Sequence, residues 1–104
     1  MRYLMTTKGG GEADEALHAE MGAFIQEMTE AGVLLATGGL EPRGLLISSS
    51  GGEITVTDGP FIEAKDVIGG FALVEVRSQE EAVELARRFR KIVGDGESQI
   101  RQVF

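Results

Sequence analysis

The residues best suited to chemistry lie in one short stretch, Asp58-Gly59-Pro60-Phe61-Ile62-Glu63-Ala64-Lys65. Asp58 has two readings. In an Asp-Gly-Pro turn at a strand end, the carboxylate accepts backbone N–H bonds, Gly permits positive φ and Pro fixes the next φ. At a pocket rim the same carboxylate serves as an acceptor or general base. Glu63 and Lys65 are two residues apart, so on an extended segment they share a face and attract. As a partly exposed ion pair they contribute well under ~1 kcal/mol. Converging with Asp58, they would hold a polar ligand, with the ammonium binding an anion or stabilising developing negative charge. Phe61 in a polar loop would then wall the pocket. The site expected from these residues has Asp58 in the catalytic position and Phe61, Glu63 and Lys65 as ligand-binding groups.

Other residues carry a weaker chemical signal. Gly69-Gly70, just before an apolar strand, signal a close backbone approach or a bulge, and either a packed neighbour or a ligand fits that space. Gly38-Gly39 read the same way. No phosphate-loop pattern surrounds either pair. His18 sits at the edge of an apolar helical stripe, as a boundary residue. Arg87, Arg88, Arg90 and Lys91 crowd the end of a helix, where cations suit the dipole.

Composition removes whole classes of function. The chain has 104 residues, no cysteine and one histidine. That leaves no disulfide framework, no thiolate chemistry, no cysteine-ligated metal and no multi-histidine metal site within one chain. No metal and no cofactor is expected. A net charge of −7 opposes direct nucleic-acid binding. There is no apolar run of the ~18 residues that a membrane helix needs. Met1 to Gly11 lack a long apolar stretch with a small-residue cleavage site, so the expected location is cytoplasmic. With 42% hydrophobic residues the chain is expected to form one folded domain over residues 1–104.

These groups must be positioned by a small set of elements. Arg2 to Thr7 is β-prone and runs into glycines. From Asp14, Leu17, Met21, Phe24, Ile25 and Met28 recur at steps of three and four, which predicts a helix. Asp14 and Glu15 belong to its first turn, and Gly32 suits a left-handed end. Val33 to Thr37 is a strand stopped by Gly38-Gly39. Leu45–Ser48 and Ile54–Thr57 flank Ser49-Ser50-Gly51-Gly52 as a hairpin. Ile68 to Val76 is a long strand. Ser78 and Glu81 have capping-box spacing, opening a second helix with Ala82, Leu85, Ala86, Phe89, Ile92 and Val93 as its stripe. Gly94-Asp95-Gly96 end it, and Ser98 to Phe104 form the last strand. Residues 1–40 and 68–104 are thus two β-α-β units, the ferredoxin-like split βαβ arrangement of an α+β fold, with an added β-hairpin. Phe71 and Leu73 point one way and Ala72, Val74 and Val76 the other. Two helices cover only one face, so a homodimer through the open face is expected.

The run Asp58 to Phe71, DGPFIEAKDVIGGF, resembles the signature of the DGPF proteins, a branch of the YciI-like (YCII-related) family. Arg2-Tyr3-Leu4-Met5, Ala31-Gly32-Val33 and Gly38-Gly39-Leu40 also match the family's pattern, so the resemblance spans nearly the whole chain. It implies a ferredoxin-like protomer that dimerises sheet to sheet as a dimeric α/β barrel. Relatives include neighbours or fusions of extracytoplasmic-function sigma factors, and a branch that dechlorinates a chlorinated hydroxyquinol. A histidine–aspartate dyad is proposed for YciI-like members, with its histidine on the first helix. Counted back from the glycine ending that helix, its place falls on Met21. His18 lies about one turn earlier, so the dyad does not carry over onto it.

Three classes of function remain open at this level. One is an enzyme acting on a small polar or aromatic molecule near the DGPF motif. Another is a non-catalytic ligand-binding or regulatory accessory protein with a sigma-factor association. The third is a structural interaction module.

Overall fold

The computed structural model describes residues 1–9, 14–59 and 67–104. Among these the chain runs β1 (Arg2–Gly9), α1 (Glu15–Glu30), β2 (Leu34–Gly39), β3 (Leu45–Ser50), β4 (Glu53–Asp58), β5 (Gly70–Glu75), α2 (Gln79–Val93) and β6 (Gly96–Val103). Four strands form an antiparallel sheet in the order β2-β5-β1-β6. That is the split βαβ order, and β3 with β4 forms a separate hairpin between its halves. The α+β, ferredoxin-like expectation with an added hairpin therefore stands.

Local signals explain the element ends. Asp14 is the N-cap of α1, its carboxylate accepting the Leu17 N–H at 2.7 Å, rather than a residue of the first turn. At the other end Gly32 takes φ +74°, with Gly32 N–H on the Thr29 carbonyl and Val33 N–H on the Met28 carbonyl. These two bonds make a Schellman stop. Ser78 caps α2, its hydroxyl accepting the Glu81 N–H at 3.2 Å. The Glu81 carboxylate in turn accepts the Arg77 N–H, one residue before the cap.

Strand pairing moved several boundaries. β1 runs to Gly9 because that residue pairs with Gly96, which also starts β6 earlier than Ser98. The hairpin turn has two residues instead of four. Ser49 pairs with Ile54 and Ser50 with Glu53, leaving Gly51 and Gly52 at φ +60° and +84°. Two successive positive φ values suit the twist of a tight hairpin, and glycine adopts them at little cost. β5 begins at Gly70 rather than Ile68.

Register divides the sheet into two faces. Tyr3 opposite Val74, Met5 opposite Ala72, and Ile100 on β6 face the helices. Tyr3, Ala72, Val74 and Val76 are buried there with Ala82 of α2. Leu4 opposite Leu73, and Thr6 opposite Phe71, lie on the other face. Leu4, Phe71 and Leu73 are only half-buried in one copy. Phe71 lies across Gly38, where an added Cβ would sit 3.0 Å from its ring. Both faces of the central strands are apolar, as the sequence indicates. No described helix is long and apolar enough to cross a membrane.

Candidate functional site: a cavity beneath the first helix

Three cross-strand rows of the helix-side face decide where space is left. The first is Tyr3, Val74 and Leu34; the second is Met5, Ala72 and Thr37; the third is Thr7, Gly70 and Gly39. In the third row two strands present no side chain. Over this face α1 lays Met21, Phe24, Ile25 and Met28, long side chains that hold the helix away from the sheet. The result is a cavity of about 350 Å³ between α1 and the sheet, closed on one side by Leu85 and Phe89 of α2. Gly38, Gly39, Gly69 and Gly70 line one end, so both glycine pairs contribute. Gly70 also lies where a Cβ would come 3.2 Å from the Gly38 carbonyl oxygen, so close strand approach and the opening have one cause.

The lining is apolar except for two hydroxyls. Thr7 Oγ1 accepts from Arg90 Nη1 at 2.8 Å. Thr37 Oγ1 donates to the Phe71 carbonyl at 2.9 Å, which leaves its lone pairs to accept a ligand proton. The Arg90 guanidinium also donates to the Glu97 and Gly94 carbonyls and the Ser98 hydroxyl. It is a structural tie between α2 and the β1–β6 ends. Among the described residues, the lining holds no titratable side chain. Such a cavity suits a neutral, apolar ring with one polar edge. An ion would lose hydration there without a charged partner among those residues.

An ion pair fastens the helix that roofs the cavity. Arg88 of α2 donates twice to Glu27 of α1, at 2.7 and 3.1 Å, and its guanidinium lies 4.8 Å from the Phe24 ring centroid. The Arg88 hydrogen bonds hold the Glu27 carboxyl below its ordinary value, and Glu27 in turn raises Arg88.

The residues singled out by sequence are placed unevenly. Asp58 is exposed at the end of β4, opposite Leu45, and its carboxylate accepts no hydrogen bond from a described residue. It is not part of the cavity lining. Phe61, Glu63 and Lys65 lie outside the described residues. His18 is exposed on α1 and does not line the cavity, whereas Met21 does. Among the described residues no group of three acidic or histidine side chains could hold a metal ion. Sequence reading left out Thr7, Thr37 and the methionines as site residues. Their signal was faint: two distant glycine pairs and a helical stripe that also reads as ordinary core.

The family model for the YCII-related domain matches residues 1–104. An uncharacterised protein of Rhizobium meliloti (strain 1021) is 34% identical over 85 residues, 80% of this chain and 68% of that protein. Among solved structures, the chain is similar to 5-chloro-2-hydroxyhydroquinone dehydrochlorinase (TftG) from Burkholderia phenoliruptrix AC1100, in complex with 2,5-dihydroxybenzoquinone. The TM-score is 0.52 at 15% identity, over 100% of this chain and 94% of that one. At that identity the likeness is one of fold.

Proposed function

Because the chain belongs to the YCII-related family, whose domain spans residues 1–104, we propose that it binds a small, neutral, largely apolar ring compound beneath α1. The apolar cavity with hydroxyls at its glycine end is the observation that carries this reading. A fold relative held with a dihydroxybenzoquinone supports the ring, not its charge. Met5, Met21 and Met28 give the walls adaptable, polarizable surfaces for an aromatic face. Thr37 orients the polar edge. We further propose that the working unit is a homodimer, with the uncovered faces of Leu4, Phe71 and Leu73 together.

A second reading assigns chemistry to the DGPF segment, with Asp58 as base and Phe61, Glu63 and Lys65 as ligand contacts. Asp58 stands exposed at the end of β4, where its carboxylate is open to solvent and to a ligand. Under that reading Asp58→Asn removes turnover and leaves the melting temperature unchanged.

The four methionines provide the test, since Met1 lies outside the cavity lining and the other three belong to it. Methyl-labelled protein is titrated with 2-naphthol and, separately, with anionic 2,5-dihydroxybenzoquinone. The Met5, Met21 and Met28 methyl signals should shift with naphthol while Met1 stays still, and Met21→Trp should abolish the shifts. Naphthol should bind the tighter of the two. A spectrum unmoved at millimolar probe would end this reading.

A further inference from the structure

The β3–β4 hairpin is a regular strand pair whose apolar face stays exposed. Register puts Leu45, Ile47, Ile54 and Val56 on one face with Ser49 and Asp58. Leu46, Ser48, Ser50, Glu53, Thr55 and Thr57 form the other. The alternation Ile54-Thr55-Val56-Thr57 is that of a strand with one buried side. Yet the four apolar residues are 62–70% exposed. Its tip is the two-glycine turn, and its base is closed by Gly59 N–H on the Gly44 carbonyl at 2.9 Å. The projection shows in the radius of gyration, 15.8 Å, against about 13 Å for a compact domain of this length. An isolated two-stranded hairpin is marginal in water. Four clustered aliphatic side chains on its single apolar face call for a cover.

We propose that this hairpin is an arm whose apolar face clasps a second copy of the chain. The inference rests on the homodimer proposed above and extends it. Area is the first reason to choose a second copy. By strand spacing, the open face of the four-stranded sheet offers about 400 Å² per protomer, half of what a standard interface buries on each side. The arm face adds about 200 Å² on the same spacing. Twofold symmetry returns each arm contact to the other copy, which brings the interface to about 800 Å² per protomer. Charge is the second reason. Asp58 is the one charged residue on the arm's apolar face. Arg101, on the open sheet face opposite Leu4, has no ion-pair partner among the described residues.

Sedimentation equilibrium on the full chain, with two variants, separates the arm from the sheet face. Ile47→Lys with Val56→Lys alters only exposed arm positions, so its circular dichroism should match wild type. Its dimer dissociation constant should rise at least about 100-fold, as expected when several anchors of one interface are lost. Leu73→Lys should also dissociate the dimer. If the arm variant dimerises with an unchanged constant while Leu73→Lys does not dimerise, the arm proposal fails and the sheet-to-sheet dimer survives. A wild-type chain that is monomeric at micromolar concentration overturns both. The chain has no cysteine, so Ser49→Cys takes a single spin label on the arm. The label should be immobilised in wild-type background and mobile in Leu73→Lys. Equal mobility in both would show an arm free of the partner.

Discussion

Helices α1 and α2 lie on one face of the same sheet, and they meet it differently. Beneath α2 stands Ala82, 2% exposed, whose single methyl lets the helix backbone come close to Tyr3, Val74 and Val76. Beneath α1 stand Met21, Phe24, Ile25 and Met28, and only Met28 is buried. They face a row in which Gly70 and Gly39 offer no side chain. A small residue over large ones closes one half of the layer; large residues over glycine leave the other half open. The cavity is therefore a consequence of residue size across two packed layers. A pocket of that origin has a rigid sheet for its floor and flexible thioethers for its roof.

The largest effect should come from adding bulk under each helix in turn. Ala82→Leu has no space to fill and should cost about 2 kcal/mol through overpacking. For a domain of this size that lowers the melting temperature by roughly 10 °C. Met21→Phe places a slightly larger side chain where about 350 Å³ is free, and should cost under about 1 kcal/mol. Differential scanning calorimetry reads both. Equal losses would break the comparison, because they would mean that α1 sits on the sheet as closely as α2.

The contrast was legible in the sequence only in part, for a physical reason. Asp14, Gly32 and Ser78 act within four residues of themselves, so spacing alone reveals the two helices and their ends. The alternation of Phe71 and Leu73 with Ala72 and Val74 likewise reveals a strand with two apolar faces. The cavity is different. It needs Met21, Gly39 and Gly70 to meet, and that depends on β5 lying between β1 and β2. The DGPF run is the most conspicuous local pattern, and the site expected from it centres on Asp58, at the base of the hairpin. The stripe of Met and Phe on α1 reads as core until the glycine row opposite it is known. The hairpin turn is shorter than its residue types suggest: Ser49 and Ser50 have loop-like character, whereas cross-strand pairing with Ile54 and Glu53 keeps them in the strand.

Removing each N-cap sharpens the comparison at intermediate size. Asp14→Ala and Ser78→Ala each lose one side-chain bond to a helix N–H, to Leu17 and Glu81 respectively, and each should cost about 1 kcal/mol. Their local consequences should differ. Amide exchange from Leu17 to Met21 should accelerate in Asp14→Ala, since a helix above a cavity opens without dragging a close-packed layer with it. In Ser78→Ala the increase should be confined to the first turn, before Ala82 anchors α2. Equal spread of exchange along both helices would remove the distinction.

The smallest effect concerns the fastening between the helices, and its sign follows from the Glu27 carboxyl. Arg88 holds that carboxyl below its ordinary value in the folded chain. In the unfolded chain it protonates at the ordinary value, so between the two the unfolded state binds more protons. The contribution of the pair is therefore complete above the ordinary carboxylate range. It is lost as pH falls through the lowered value. Glu27→Gln should melt slightly below wild type at neutral pH, and the gap should close on acidification. Both groups are exposed, so salt should shrink the gap as well. Arg88→Gln removes the same pair and also the guanidinium 4.8 Å from the Phe24 ring centroid. It should therefore keep a deficit in acid and in salt that Glu27→Gln lacks, because a cation over an aromatic face does not depend on a carboxylate. Superimposable melting profiles for the two variants across pH would show that the carboxylate alone fastens α1, and that Phe24 is held over the cavity by apolar packing.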